Sequence, residues 1–395
     1  MNEQDVTYLI LGGGVAGVQA ATAIRKRDPE GSIAILSGEK ELTYKRPMLT
    51  KSPLVSLRQS PLLLHEESWY ANNGIKVFLE CQVLSMHPEK KCVSTNGEEF
   101  RYQKCVYALG GYNFVPPFKG AQLPGVLTVR TREDLRRLKR YALGGEKAVV
   151  IGGGVIGLEL ALELARYGLD VTVLEAMPRL MPRQLDPDTS QALLEMLEGI
   201  HVYTNVSIAE IRGDEQAKAV ILEDGREFLG SIIAVSCGQK ANIEIAKAAG
   251  ITCGRGVLVN EKMETSAEDV WACGDCAEFN GVNVALWSQA LAQGEIAGSN
   301  AAGGELRLKG FDQSLVLNGG DVSLFSLGDL GRDPEKQYSC VVKERQFNGF
   351  SINEKPKKAL EKRFYCNGKI TGGCILGNLS GMETMRREIE EGAKG

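Results

Sequence analysis

The chain has 395 residues, of which 43% are hydrophobic and 24% charged, and its formal charge is −4 from 46 Lys plus Arg against 50 Asp plus Glu. At about 150 residues per domain this length points to two or three domains, and the composition excludes a lone small binding module and wholesale disorder. The balanced charge excludes a general pull toward nucleic acid or an anionic membrane.

Glycine is in excess, at 46 residues, and the excess is clustered. The opening residues carry Glu3 and Asp5 where a secretory signal has positive charge, and no apolar run approaches the roughly 20 residues of a membrane span. The chain is therefore expected to be cytoplasmic, with no membrane partner. Its ten cysteines are irregularly spaced and read as reduced, mostly buried thiols. His65, His87 and His201 are scattered in no metal-ligand pattern, so neither a metal site nor a Ser/His/Asp triad is expected.

In chain order, Tyr8-Leu-Ile-Leu-Gly-Gly-Gly-Val-Ala-Gly17 reads as a strand, a Gly-x-Gly-x-x-Gly turn at Gly12, Gly14 and Gly17, and the start of a helix. An apolar run over residues 32–36 completes a strand-helix-strand unit. Between residues 70 and 107 short runs alternate (Val77-Phe-Leu, Cys92-Val-Ser, Cys105-Val-Tyr), with turns at His87-Pro88 and Asn96-Gly97, and predict an inserted antiparallel sheet. The first pattern then returns 140 residues on as Val149-Val-Ile-Gly-Gly-Gly-Val-Ile-Gly157, with its closing strand at 170–174. Alternation recurs at 207–211, 219–222 and 232–235. Beyond Phe311 short strands (316–317, 323–326, 362–366) and an amphipathic helix near 382–391 predict a separate small α+β domain.

Two such glycine turns, each in full strand-turn-helix-strand context, predict two bound dinucleotides. The glycines permit a tight bend, let backbone approach a pyrophosphate and let helix pack on strand, with the helix N-terminus facing the phosphates. Gly12, Gly14, Val15, Ala16 and Gly17 form the first cradle, and Gly152, Gly154, Ile156 and Gly157 the second. Glu175 ends the second unit, where a carboxylate accepts from ribose hydroxyls and repels a 2′-phosphate, so NADH is expected over NADPH. Arg179 close by is a counter-argument, or a solvated loop charge. In the first unit Ser37 holds the acidic position; Glu39, followed by Lys40, is the stronger ribose acceptor.

Further segments carry a resemblance. Ala108-Leu-Gly-Gly111, with Gly110, and Val235-Ser-Cys-Gly-Gln-Lys-Ala-Asn242, with Gly238, are similar to the two crossover turns of the pyridine nucleotide-disulfide oxidoreductase superfamily. Thr265-Ser266 followed by Trp271-Ala-Cys-Gly-Asp-Cys276 resembles its second flavin motif, which implies that Gly274 and Asp275 bind the ribityl and phosphate region. Trp287-Ser-Gln-Ala-Leu-Ala-Gln-Gly294 resembles the helix beside the flavin pyrimidine ring. Tyr44-Lys-Arg-Pro-Met-Leu-Thr-Lys51, with Arg46, Pro47 and Lys51, is similar to the rubredoxin reductase-like branch, with Thr50 in place of Ser. Val83 joins the implied cofactor-lining positions.

The resemblance implies an α/β fold with two Rossmann-like domains, FAD in residues 1–112 and 236–310 and NAD in 113–235, followed by an α+β domain over 311–395. It implies Lys51 beside the flavin and Glu159 on the nicotinamide side as the catalytic pair, with hydride passing from NADH to FAD. No cysteine precedes Cys81, so the disulfide of the dithiol reductases is missing, and Cys273 and Cys276 read as packing residues. Electrons are then expected to leave the flavin for a small carrier such as rubredoxin, with oxygen, ferredoxin or a nitrite reductase as alternative acceptors and an NADH sensor as the non-enzyme reading. Basic runs at 132–140, 355–358 and 386–387 are candidate contacts for an acidic carrier. Monomer and homodimer both stay open.

Overall fold

The computed structural model describes residues 3–51, 62–311, 313–319, 322–347 and 357–392. They form two compact units, one bounded by Met1–Pro47, Arg58–Tyr112 and Gln239–Asp312, the other by Met48–Leu57, Asn113–Gly238 and Gln313–Gly395.

In the first unit, β1 (Glu3–Leu11) sends Tyr8 and Ile10 into one core and Leu9 and Leu11 into another, so it is covered on both faces. It leads into α1 (Val15–Arg27) and β2 (Ile33–Leu36), which returns parallel beside it. After α2 (Glu67–Asn72), β3 (Ile75–Phe78) adds parallel to β2, and β6 (Glu99–Tyr107) lies parallel on the other side of β1. The inserted antiparallel sheet predicted for residues 70–107 is therefore corrected. Only β4 (Val83–His87) and β5 (Cys92–Thr95) run antiparallel, as an extension of β6, while β3 and β6 belong to the main sheet. Alternation reports which faces a strand buries, not the direction of its neighbours.

Short pairs, β7 (Gly111–Asn113) with β16 (Gln239–Ala241) and β17 (Val257–Val259) with β19 (Ala277–Phe279), and the helix α6 (Glu244–Ala248) fill out this unit. β18 (Val270–Ala272) joins the carboxyl end of β6, and α7 (Trp287–Ala301) lies on α1. That helix pair touches backbone to backbone: a Cβ on Gly294 would sit 2.5 Å from the Ala16 carbonyl oxygen, and one on Gly298 would sit 2.2 Å from that of Ala20.

The second unit repeats the plan with β9 (Lys147–Ile151), α4 (Val155–Arg166) and β10 (Asp170–Leu174). Its parallel sheet has the order β11 (Ile200–Tyr203), β10, β9, β15 (Ile232–Val235), β8 (Val126–Leu127). Of the alternating runs after Glu175, the first two form β12 (Ile208–Gly213) and β13 (Ala217–Leu222) in an antiparallel meander with β14 (Glu227–Leu229), whereas β15 is a central parallel strand. The helices α3 (Arg132–Ala142) and α5 (Pro187–Met196) begin at their own caps, a Thr131/Asp134 capping box and the Asp186 carboxylate.

The C-terminal residues form an antiparallel sheet in the order β20 (Leu315–Gly319), β21 (Val322–Gly328), β24 (Lys369–Leu376), β23 (Lys357–Cys366), β22 (Tyr338–Phe347). α8 (Met382–Gly392) covers it by burying Met385 and Ile389 against Phe325 and Ile375. β22 and β24 were not among the strands expected at 316–317, 323–326 and 362–366; β22 carries Lys343-Glu344-Arg345 and β24 carries Gly372-Gly373, neither of which favours a strand by residue type. Gly373 instead gives way to α8: a Cβ there would lie 2.6 Å from Met385 Sδ. The sheet is tied within its unit by Lys362, which is buried and donates to Asp186 at 2.7 Å and to Asp188 at 3.2 Å.

Candidate functional site

Each glycine turn sits at the carboxyl end of a central strand with neighbours on both sides, the crevice where doubly wound sheets bind ligands. The two turns have the same internal geometry. Gly12 has φ +117°, and a Cβ on it would fall 2.1 Å from the Ala108 carbonyl oxygen; Gly152 has φ +109°, with the Ser236 carbonyl oxygen at 2.3 Å. Only glycine fits there. Gly17 and Gly157 come as close to the Gly12 and Gly152 oxygens, locking helix to turn. Gly14 and Gly154 differ: a Cβ on either meets nothing within 4 Å.

These open glycines are the N-caps of α1 and α4, and neither helix has a side-chain cap or an acidic residue in its first turn. The same holds for α7, which begins at the half-buried Trp287. The contrast with α3 and α5, which carry their own caps and acidic first turns, marks the amides of α1 and α4 as ready for an anion from outside. Ile156, an apolar residue in the first turn of α4, is 37% exposed. A cradle open at Gly14 and Gly154 and uncapped at the helix fits the pyrophosphate of a dinucleotide.

Around the first cradle, Val15, Ala16 and Ala108 are buried in one core, and Val83 lies beside Leu36 in the other. Ser37 packs against Gly13 and is buried, while Thr43 donates to the Gly13 carbonyl at 2.7 Å. Glu39 is held by both oxygens, accepting from Tyr44 at 2.6 Å and from Arg46 at 2.7 Å. Burial alone lowers the Arg46 guanidinium pKa, but Tyr44, Glu39 and Asp275 around it outweigh that and raise it. Lys40 and Pro47 are exposed. Gly274 has φ +79° and lies against Ala16, and its N–H donates to Gln293 Oε1 at 2.8 Å, which sets Asp275 beside the cradle. Asn242 donates to the Leu109 carbonyl and its N–H to that of Gly110, clamping the exit turn.

Around the second cradle, Glu175 Oε2 accepts from the Gly153 N–H at 2.6 Å and Oε1 from the Met177 N–H at 2.7 Å, so its carboxylate is aimed at the turn. Arg179 turns away to its own loop, donating to the carbonyls of Pro182 and Leu185. Gly238 has φ +99° and open space beside it. Lys51 and Glu159 come together in this unit, with Lys51 Nζ 3.5 Å from Oε1 of a Glu159 that is 3% exposed.

All ten cysteines are free thiols. Cys273 and Cys276 are fully buried; burial pushes Cys273 well above its usual pKa and Cys276 up to about 12, so neither is a thiolate near neutrality. Of the basic runs, Arg132 is buried, Arg136 and Arg140 both pair with Glu133, and Arg137 and Arg140 are the exposed arginines of α3. Lys355 lies outside the described residues, as do the side chains through Lys358, and Arg386 faces Phe325 at 5.8 Å. Among the described residues no helix is long and apolar enough to cross a membrane.

The sequence pattern of the pyridine nucleotide-disulphide oxidoreductases matches residues 6–294, well over half of the chain. The chain belongs to this family. Among its relatives in this family, an NADH oxidase from Methanocaldococcus jannaschii is 34% identical over 340 residues, 81% of this chain and 75% of that protein. An NADH-rubredoxin oxidoreductase from Clostridium acetobutylicum is 30% identical over 391 residues, 94% of this chain and 98% of that one. The solved structure of an NAD-dependent persulfide reductase from A. fulgidus superposes with a TM-score of 0.89 at 26% identity, covering 98% of this chain and 77% of that one. This pyridine nucleotide-disulphide oxidoreductase is an NAD(P)H-dependent FAD flavoprotein of the rubredoxin reductase-like branch.

Three contributors to the site escaped the sequence reading: Thr43, Gln293 and Asn318. Gln293 lay inside the Trp287–Gly294 stretch, but nothing in residue type told it apart from Gln289. Asn318 acts through its backbone N–H, which donates to Glu159 Oε1 at 3.1 Å and leaves no trace in residue type.

Proposed function

We propose that this flavoprotein oxidises NADH and reduces a small one-electron carrier protein, rubredoxin first. The observation that carries the reading is the lack of a usable dithiol: no cysteine precedes Cys81, and Cys273 and Cys276 are sealed and protonated. Electrons then leave for an acceptor outside the chain. Bound FAD supplies the conversion between a two-electron donor and a one-electron acceptor.

The chain's own residues bind and orient. We assign residues 1–112 and 236–310 to FAD, 113–235 to NADH and 311–395 to the C-terminal α+β region. The turn from Gly12 to Gly17 and the amides of α1 hold the FAD pyrophosphate, with Glu39 and Asp275 as hydroxyl acceptors and Arg46 as their counter-charge. Gly152 to Gly157 and the amides of α4 hold that of NADH, and Glu175 takes its adenosine ribose. Lys51 and Glu159 form a mutually neutralising pair that fixes the nicotinamide side, and alignment of this kind is what the protein adds to cofactor chemistry.

The test is anaerobic NADH consumption by the FAD-loaded protein with and without oxidised rubredoxin, beside the same assay in air without carrier. Rapid carrier-dependent turnover with slow oxygen use is the expected result. Fast oxygen-dependent turnover indifferent to the carrier would move the assignment to an NADH oxidase, the reading favoured by the Methanocaldococcus relative.

A further inference from the structure

Glu159 is a buried carboxylate whose two oxygens are divided among three groups on two segments of the second unit. Thr50 Oγ1 donates to Oε2 at 2.5 Å, the Asn318 backbone N–H donates to Oε1 at 3.1 Å, and the Lys51 ammonium stands 3.5 Å from that same oxygen. These contacts do different work. At 3.5 Å and on a flexible stem, Lys51 neutralises the charge without fixing its direction. Thr50, itself 8% exposed, and the Asn318 amide are short donors on opposite oxygens, and together they define the plane of the carboxylate.

The Asn318 donor comes from β20, at the edge of the C-terminal sheet. A Cβ on the next residue, Gly319, would lie 2.2 Å from Leu162 Cδ1 and 3.3 Å from Leu162 Cβ of α4, so a side chain at position 319 would have to displace that of Leu162. The strand therefore runs against the helix that carries Glu159, and the Asn318 N–H reaches the carboxylate.

We infer that Thr50 and the Asn318 amide are positioning groups for Glu159, and that the C-terminal sheet thereby completes the nicotinamide side of the site. This rests on the proposed placement of Glu159 at the nicotinamide. It assigns a role to the Thr that replaces Ser in the Tyr-x-Arg-Pro-x-Leu-Ser-Lys stretch: either residue supplies the hydroxyl, and Val does not.

The experiment uses the FAD-loaded full chain with Thr50→Val, Thr50→Ser, Glu159→Gln, the Thr50→Val/Glu159→Gln double variant and Asn318→Pro. The last removes the donor at an edge-strand position where proline is tolerated and where the N–H is already committed to Glu159. FAD content and thermal midpoint check folding, stopped-flow flavin bleaching gives the rate of reduction by NADH, and perturbation of the flavin spectrum gives the NAD+ Kd. Thr50→Val and Asn318→Pro are each expected to slow reduction roughly tenfold or more and to weaken NAD+ severalfold, the loss of a hydrogen bond to a charged group. Thr50→Ser recovers most of both. Adding Thr50→Val to Glu159→Gln changes neither quantity further, since the group to be positioned has already been altered. If Thr50→Val slows the Glu159→Gln protein by the same factor as the parent, or leaves the parent unchanged while Glu159→Gln is slow, the inference falls and the site assignment stands. If Glu159→Gln itself reduces and binds NAD+ as the parent does, the assignment falls and takes the inference with it.

Discussion

The open glycine of the second cradle makes a sharp prediction. Gly154 has φ −81° and ψ −179°, a conformation any residue adopts, and a Cβ on it touches nothing within 4 Å. Gly154→Ala should therefore leave the fold alone: a gain of about 0.4–1 kcal/mol from a stiffer unfolded chain is set against a similar loss at an N-cap, so stability stays within about 1 kcal/mol. The new methyl group nevertheless stands at the mouth of the uncapped α4, and keeping a phosphate from one amide forfeits a charge-assisted hydrogen bond of about 1.5–3 kcal/mol, a rise in Kd of roughly 10- to 150-fold. Gly157→Ala is the contrasting case, since its Cβ would lie 2.0 Å from the Gly152 carbonyl oxygen, and the backbone shift it forces costs about 1–3 kcal/mol of stability. The assay is NAD+ titration followed in the flavin spectrum, with thermal unfolding alongside. A Gly154→Ala protein that binds NAD+ as tightly as the parent would show that the pyrophosphate does not cross this point.

Other substitutions probe the remaining contacts. Glu175→Gln keeps an oxygen for only one of the two turn amides and removes the charge facing a 2′-phosphate, so the preference for NADH over NADPH, measured as a ratio of kcat/KM values, should narrow roughly tenfold; an unchanged ratio in a normally folded variant would clear Glu175 of that role. Cys276→Ala should retain FAD and its rate of reduction by NADH, and a loss of turnover in a normally folded variant would revive the Cys-x-x-Cys as a redox pair. Lys362→Met leaves Asp186 buried without its partner and should cost about 3–5 kcal/mol in denaturant unfolding. Burial alone raises the Asp186 carboxyl pKa, but its hydrogen bonds from Lys362 and Thr189 hold it below 3.8; burial alone lowers the Lys362 ammonium, but the same pair raises it above 10.5. The stability due to Asp186 is thus present above its unfolded value and fades as the pH falls through the lower folded one, and that due to Lys362 is full below 10.5 and fades as the pH rises through the higher folded one. Unfolding across pH should show both flanks shallower in Lys362→Met than in the parent, by the share that this pair contributes.

The repeated turn was legible because it is local: Gly12, Gly14 and Gly17, and again Gly152, Gly154 and Gly157, state their requirement within six residues, and the paired motifs led to the family and to Lys51 and Glu159. Partnering was not local. Ile75-Lys-Val-Phe78 alternates in the same way whether its neighbour runs parallel or antiparallel, so β3 was placed in the wrong sheet. The strand through Gly372-Gly373 was not expected, because nothing near it in sequence announces Met385, whose Sδ would lie 2.6 Å from a Cβ at Gly373. The C-terminal contribution to Glu159 was invisible for a different reason, since a backbone N–H is common to nearly every residue and only the fold says where it points.

The seam between α1 and α7 has a consequence for how this molecule tolerates change. Gly294 and Gly298 meet the Ala16 and Ala20 carbonyls with no layer of side chains between, so the spacing of the two helices is set by main chain and has nothing to rearrange. One helix begins at the open Gly14 and the other carries Gln293, which holds the Gly274 amide; the turn and the Asp275 loop are thus fastened to opposite sides of a joint of fixed thickness. Substitutions elsewhere in the unit can alter how firmly the joint is supported without altering its width, and the distance between those two loops should persist through sequence drift that erases much else around them.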